Sequence, residues 1–250
     1  MLKLRALATT TLALGLLTSA IGPAAATTLS PAPIVKSDGH LSTTSGTVVT
    51  PPPVVPGPVL NPPAFKDINY SLFYTEINWM AAQRITAGYS DGTYRPTRTL
   101  DRAASAAFLY RLAGSPKFTA PKISSFADVR PGAAFYKEIH WAHQRGLLAG
   151  TPVKASRPHF RASRAITRAE MAQAVFVYSG ASKTYKAPSV SKFTDVSTRS
   201  AFYRAISWVD VKAISKGYPA GSKVAYRPSD PVTREMGAGF LYQLAHKSGR

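Results

Sequence analysis

The sequence predicts an all-α fold: three tandem helix-loop-helix units forming a pseudo-threefold bundle, preceded by a disordered Pro-rich linker. Three observations predict it. A set of landmark residues returns three times in one register. Apolar residues within each copy follow a helical spacing. Hydrophobic residues make up 45% of the 250, enough for a packed core, and cysteine is absent, which excludes disulfides and thiolate metal sites.

Each copy opens on a Phe-x-Asp segment, Phe65-Lys66-Asp67, Phe126-Ala127-Asp128 and Phe193-Thr194-Asp195. A tryptophan slot follows, in Ile77-Asn78-Trp79, Ile139-His140-Trp141 and Ile206-Ser207-Trp208. A glycine comes nine residues later in every copy: Gly88, Gly150 and Gly217. Next is an aromatic loop, Tyr94-Arg95-Pro96 in the first copy and Tyr226-Arg227-Pro228 in the third. Then come Leu100-Asp101-Arg102, Ile166-Thr167-Arg168 and Val232-Thr233-Arg234, and an aromatic closing helix with Phe108-Leu109-Tyr110, Phe176-Val177-Tyr178 and Phe240-Leu241-Tyr242.

The first helix of a unit places Phe73, Ile77, Met80 and Ala81 on one stripe. The repeated glycines stand where that helix would end. The second helix starts at Asp101, Thr167 or Thr233 as N-cap. Thr167-Arg168-Ala169-Glu170 is a capping box, in which Thr167 caps the Glu170 amide and Glu170 reaches back. Asp101 lacks the reciprocal glutamate, and in the third copy Glu235 lies one residue too early to complete a box with Thr233. Two helices bury little core alone, so three units are expected to share one. The expected boundaries are 65–119, 120–186 and 187–250.

The N-terminal 64 residues differ in kind. Lys3 and Arg5 precede the apolar stretch Ala6 to Leu17, and Ala24-Ala25-Ala26 offers a small-residue cleavage site. This is the layout of a signal peptide over 1–26, with an uncleaved anchor as the alternative. Residues 27–64 hold nine of the 20 prolines and two charges, Lys36 and Asp38, which reads as an extended linker. No second apolar run reaches transmembrane length, and the last six residues carry no hydrophobic tail. Surface retention would then be non-covalent.

Lys and Arg number 31 against 12 acids, a formal charge of +19. That balance predicts an anionic partner. An exported protein is expected to have no nucleic-acid partner, which leaves acidic wall polymers and membrane surfaces. Catalysis finds little support. The 11 acids after residue 64 sit mostly at capping slots, without a pair placed for hydrolysis. His140 and His143 are spaced i, i+3 with no evident third ligand, so a solvated helix face is expected there rather than a metal site. No cofactor is implied.

The Phe-x-Asp openings, the Ile-x-Trp slots, Gly88-Tyr89-Ser90-Asp91-Gly92-Thr93-Tyr94-Arg95-Pro96 and Ile166-Thr167-Arg168-Ala169-Glu170 resemble the S-layer homology (SLH) family, in three copies over 65–250. The resemblance implies a spindle of three units around a helical bundle. It also implies that grooves between units bind an anionic secondary cell-wall polysaccharide, often pyruvylated, and hold exported proteins on the surface. In that family the arginine of the Thr-Arg-Ala-Glu motif lies in the groove, and Arg102, Arg168 and Arg234 match it. The second copy departs from the glycine-tyrosine loop and reads Gly150-Thr151-Pro152-Val153-Lys154-Ala155.

A guanidinium suits bidentate capture of a carboxylate, and a neighbouring helix N-terminus would add its amides. These arginines are expected at exposed first-turn positions, removable without harm to folding. Trp79, Trp141 and Trp208 are expected to bury one edge and offer the other to a sugar, with Tyr89 and Tyr218 as further contacts beside Gly88, Gly150 and Gly217. Asp67, Asp128 and Asp195 read as helix or turn caps. The reading is a secreted, non-enzymatic wall-binding protein retained at the bacterial cell wall or surface. A wall-remodelling hydrolase or its accessory subunit is the alternative, and a basic structural protein that coats polyanions is a second. N-terminal sequencing of the mature protein should start at Thr27 or within a few residues; surface-located protein that keeps Met1 would contradict the signal-peptide reading.

Overall fold

The computed structural model describes residues 64–247. The signal peptide assigned to 1–26, and the linker as far as residue 63, lie outside the described residues. The element order is α1 (Tyr74–Ala82), α2 (Arg102–Leu112), α3 (Tyr136–Gln144), β1 (Thr151–Val153), β2 (Ser156–His159), α4 (Arg168–Tyr178), α5 (Tyr203–Val211), β3 (Tyr218–Ala220), β4 (Lys223–Ala225) and α6 (Arg234–Lys247), with a single 3-10 turn at Ala181–Lys183.

The fold is therefore mixed, and the all-α expectation is corrected. Two small antiparallel sheets, β1 with β2 and β3 with β4, stand beside the six helices. Each hairpin follows one of the repeated glycines. In the third copy Ala220 pairs with Lys223 across a two-residue connection whose Gly221 has φ +61, the left-handed backbone that tight hairpins favour. In the second copy Ala155 (φ +56) does the same between Val153 and Ser156. The first copy closes a tighter loop around Gly92, with the Tyr89 amide donating to the Thr93 carbonyl at 2.8 Å. Strands of three or four residues interrupted by proline carry no period-two signal, so their sequence reads as loop.

At the centre the three copies meet in a closed ring of backbone hydrogen bonds. The Leu100 amide donates to Val232 (2.8 Å), the Val232 amide to Ile166 (2.9 Å), and the Ile166 amide to Leu100 (2.9 Å). All three side chains are fully buried. A second set of bonds runs outward from the ring. The first amides of the second helices donate to loop carbonyls of the next copy, Arg102 to Arg164, Arg168 to Asp230 and Arg234 to Arg98. The following amides do likewise, Ala103 to Ala162, Ala169 to Pro228 and Glu235 to Pro96, all at 3.0 Å. Helix starts that would otherwise lack partners are thus satisfied in trans. The N-cap side chains take the next amide: Asp101 accepts from Ala104 (2.7 Å), Thr167 from Glu170 (3.2 Å) and Thr233 from Met236 (3.3 Å). Glu170 reaches back to the Thr167 amide at 2.9 Å and completes the capping box.

Helix packing follows the same cycle. α2 packs on α3, α4 on α5 and α6 on α1, while α6 also touches α2 and α4. The tryptophans lie in these contacts. Trp141 meets Tyr110 edge-on at 5.3 Å, Trp208 meets Phe176 at 5.5 Å, and Trp79 meets Tyr242 at 5.4 Å. Tyr110, Phe176 and Tyr242 each stand eight residues after the repeated arginine. The Phe-x-Tyr match of the closing helices is therefore out of register by two residues in the second copy.

Two further expectations are corrected. The first helices do not end at the glycines. They end in Schellman turns on left-handed Arg84, Gly146 and Ala213, with Ile85, Leu147 and Ile214 amides closing back onto Met80, Ala142 and Val209. Gly88, Gly150 and Gly217 serve close approach instead. An added Cβ would run into the opening phenylalanine of the same copy, Phe65, Phe126 or Phe193. The repeated aspartates are not helix caps. Asp67 accepts from the amides of Tyr94 (2.7 Å) and Arg95 (2.8 Å), Asp128 from Phe160 and Arg161 (2.7 Å each), and Asp195 from Tyr226 and Arg227 (2.7 Å each). Each carboxylate pins a loop about half a copy downstream, and holds Arg95, Arg161 and Arg227 at φ near +58, +57 and +58.

A chain ending at residue 190 lacks Val232 and leaves the Leu100 amide and the Ile166 carbonyl unpaired in an apolar centre. It is expected to lose the cooperative thermal transition of the full chain. Differential scanning calorimetry of both decides this; equally sharp melting at the same temperature would refute the shared centre.

Candidate functional site

The repeated arginine is the first residue of each second helix, and its side chain runs across the seam into the next copy. Arg102, Arg168 and Arg234 are only 3%, 4% and 7% exposed, so the expectation of exposed arginines is corrected. Each Nε donates to a loop carbonyl of the neighbouring copy: Arg102 to Phe160 (2.8 Å), Arg168 to Tyr226 (2.9 Å), Arg234 to Tyr94 (2.7 Å). Each guanidinium also lies over that aromatic ring, at 4.7, 4.5 and 4.5 Å from the centroid. These are the rings whose loops the aspartates pin. Asp67, Asp128 and Asp195 thus place the carbonyl and the ring that receive an arginine from the preceding copy.

The helix amides expected to assist anion capture are already used by loop carbonyls and caps. What remains for a ligand is the far side of each guanidinium, and there the three seams differ.

In the seam between copies 1 and 2, Arg102 is fully engaged. Its Nη2 donates to Ala149 (2.5 Å) and its Nη1 to the Glu170 carboxylate (2.9 Å). Arg164 donates to the same Glu170 oxygen. Burial alone would raise the Glu170 pKa, but the Thr167 amide and the two arginines outweigh it and hold the carboxyl below its ordinary value. Burial also pulls the Arg102 pKa down, against the pull of Glu170. Thr151 occupies the slot that holds tyrosine in the other copies.

In the seam between copies 2 and 3, Arg168 donates to Tyr218 Oη (3.3 Å), to Ser215 Oγ (3.4 Å) and to the Lys216 carbonyl (3.0 Å). Tyr218 is stacked between Arg168 (4.8 Å) and Arg227 (4.6 Å). Burial raises the Tyr226 hydroxyl to about 12, which keeps it a neutral group beside the arginine.

In the seam between copies 3 and 1, Arg234 makes the Nε bond to Tyr94, and its two terminal nitrogens bond no group among the described residues. Tyr89 lies beside it, with the guanidinium 5.0 Å from the ring centroid. The positions matching Glu170 are Met236 and Ala104, so neither of the other two seams has an internal carboxylate at that place.

Of the residues proposed from the sequence, the three arginines, Tyr89 and Tyr218 converge on the seams. Trp79, Trp141 and Trp208 do not; they are 4%, 2% and 3% exposed and lie in the helix contacts. Gly88, Gly150 and Gly217 shape the loops. His140 is buried, with Nε2 3.3 Å from Ser124 Oγ, which corrects the solvated-face expectation. Among the described residues no cluster of three metal-ligating side chains occurs. Four seam residues escaped the sequence reading: Phe160 and Arg161, Arg164, and Arg98. A signal for the first existed. Phe160 precedes Ile166 by six residues, as Tyr94 precedes Leu100 and Tyr226 precedes Val232.

The S-layer homology domain pattern matches residues 64–104, 125–172 and 192–235, just over half of the chain. The chain belongs to the S-layer homology domain family. Such SLH domains are binding modules that attach to cell-wall polymers and anchor proteins at the cell surface. The amylopullulanase of Thermoanaerobacterium thermosulfurigenes is 29% identical over 189 residues, 74% of this chain and 10% of that protein. The chain thus spans about a tenth of the length of this relative. No helix among the described residues of this SLH protein is long and apolar enough to cross a membrane.

A carboxyl with a folded pKa below its unfolded one stabilises at pH above the unfolded value, and loses that contribution as pH falls through the folded one. Glu170 is such a group. The urea midpoint of the intact chain should therefore fall more steeply below pH 4.5 than that of Glu170→Gln. Parallel curves would show that the Arg102–Glu170–Arg164 cluster adds no net stability.

Proposed function

We propose that this SLH protein is secreted and binds an acidic secondary cell-wall polysaccharide in its inter-repeat grooves, chiefly in the groove between copies 3 and 1. The observation that carries this reading is the state of the three matched arginines. Arg234 is anchored by Nε and stacked on Tyr94, yet its terminal nitrogens bond nothing within the described protein. A buried guanidinium held in this way is preorganised for a carboxylate, because its side-chain entropy is already spent. Arg168 is the second contributor, since its bonds to Tyr218 and Ser215 are long at 3.3 and 3.4 Å and open to exchange. Arg102 contributes least, because Glu170 already fills the place of a ligand carboxylate. Tyr89 and Tyr218 supply rings against which a sugar face can lie.

The net charge of +19 draws an anionic polymer towards the protein. It does not by itself select a groove. The relative named above is called an amylopullulanase, and the shared segment is about a tenth of it. That fits an attachment module, for which a pyruvyl ketal is a suitable acidic group.

The test is the affinity of purified wall polymer for Arg234→Ala, Arg168→Ala and Arg102→Ala, with helicity followed in parallel. Loss of one charge-assisted contact should weaken binding by roughly tenfold or more, on the order of 1.5–3 kcal/mol. The expected order is Arg234, then Arg168, then Arg102. Because the arginines are buried, each variant should also melt earlier than the parent, and Arg102→Ala most, since it breaks the bonds to Phe160 and Ala149 and takes one of two arginines from Glu170. Equal small losses in affinity for all three would leave diffuse charge attraction and defeat the groove assignment.

A further inference from the structure

The loop residue whose carbonyl receives the first amide of the preceding copy's second helix is arginine in two seams and aspartate in the third. It is Arg98 in the seam of Arg234, Arg164 in the seam of Arg102, and Asp230 in the seam of Arg168. The scaffold holds these three positions in one backbone environment, so their side chains point to what each seam accepts. Arg164 is spent on Glu170. Asp230 is exposed and brings a negative charge, not a positive one, to its seam. Arg98 has neither fate: it is exposed, and its guanidinium makes no hydrogen bond or ion pair among the described residues.

Arg98 and Arg234 share one ring. Their guanidinium carbons lie 5.8 and 5.0 Å from the Tyr89 centroid, so the two heads can be no farther apart than these distances laid end to end. A third guanidinium, Arg95, covers the ring at 3.9 Å, but it is neutralised by Asp91 at 3.0 Å. Neither Arg98 nor Arg234 forms an ion pair among the described residues, and the nearby Glu235 carboxylate is taken by Ser71 Oγ at 2.7 Å, so two cationic heads flank one ring. Their mutual repulsion is relieved when an anionic group stands at each head.

Resting on the groove reading above, we propose that the seam between copies 3 and 1 takes a saccharide segment carrying two acidic groups within one or two sugar units, one held by Arg234 and the other by Arg98, with a sugar face against Tyr89. Arg98 then sets the charge of the ligand, whereas Arg234 is needed for any acidic ligand at all. The other two seams lack this pair.

The test uses the full chain, purified wall polymer, and two soluble competitors: methyl galacturonide with one carboxylate and digalacturonate with two. Digalacturonate should displace the polymer at a concentration about tenfold lower than methyl galacturonide. Arg98→Ala should abolish that advantage, and Arg98→Lys should restore part of it. Arg130→Ala is the control for general charge, since Arg130 lines a separate cavity of about 250 Å³ with Lys122, Ser124 and Arg157 in copy 2; it should leave the ratio intact. Equal potency of the two competitors on the parent overturns the inference, as does an equal loss in Arg98→Ala and Arg130→Ala. Those results leave the groove assignment standing if Arg234→Ala still weakens polymer binding. If Arg234→Ala binds polymer as the parent does, the groove assignment itself fails.

Discussion

The closed ring of backbone hydrogen bonds among Leu100, Ile166 and Val232 is the constraint on which the rest depends. A two-helix unit of this size cannot bury its own apolar faces, and it cannot satisfy the amides at the start of its second helix. The ring solves both problems together. It places each second helix so that its first two amides meet carbonyls of the next copy and its neighbour's first helix covers its side. Every copy is therefore finished by another, in the order 1 to 2, 2 to 3 and 3 to 1. The tryptophan contacts follow the same cycle from the other direction, since each first helix rests on the second helix of the copy before it.

The same geometry makes the seams what they are. A helix that starts against the neighbour's loop must send its first side chain into that neighbour. Arginine suits this place because its long apolar stem can be buried while its fork reaches a carbonyl and a ring. The aspartate clamps complete the arrangement, because they fix the carbonyl that each arginine needs. One interaction therefore serves cohesion and, in the function proposed above, recognition. The Nε side of the guanidinium joins the copies, and the terminal nitrogens are left for other partners.

Those partners are decided by few residues. Glu170 turns the first seam inwards, into an ion-pair cluster with Arg102 and Arg164. Tyr218, Ser215 and the Lys216 carbonyl partly occupy Arg168. Ala104 leaves Arg234 open. A near-symmetric scaffold thus carries three unlike surfaces, and the divergence lies in side chains that the fold does not need. That is why the repeats keep their backbone bonds at nearly constant lengths while their exposed ends differ.

Much of this was legible in the sequence. Threefold recurrence of Phe, Trp, Gly and Arg established tandem units with a shared core, and Thr167 to Glu170 announced its capping box, because both depend on local spacing. The arginines were found for the same reason. Their burial was not, since it depends on a loop 58 residues away in the case of Arg102 and 140 away in the case of Arg234. The hairpins were missed because strands of three residues are made by their partners, not by their own pattern. Asp67, Asp128 and Asp195 read as local caps in the sequence because a carboxylate's distant acceptor role leaves no local mark. The sequence alone determined which residues recur and which helices they begin. Tertiary structure decided which arginine keeps open terminal nitrogens, because that rests on what the next copy brings across the seam: the Glu170 carboxylate to Arg102, the Tyr218 hydroxyl and the Lys216 carbonyl to Arg168, and to Arg234 the Tyr94 carbonyl at Nε with only aromatic rings beside the rest of the fork.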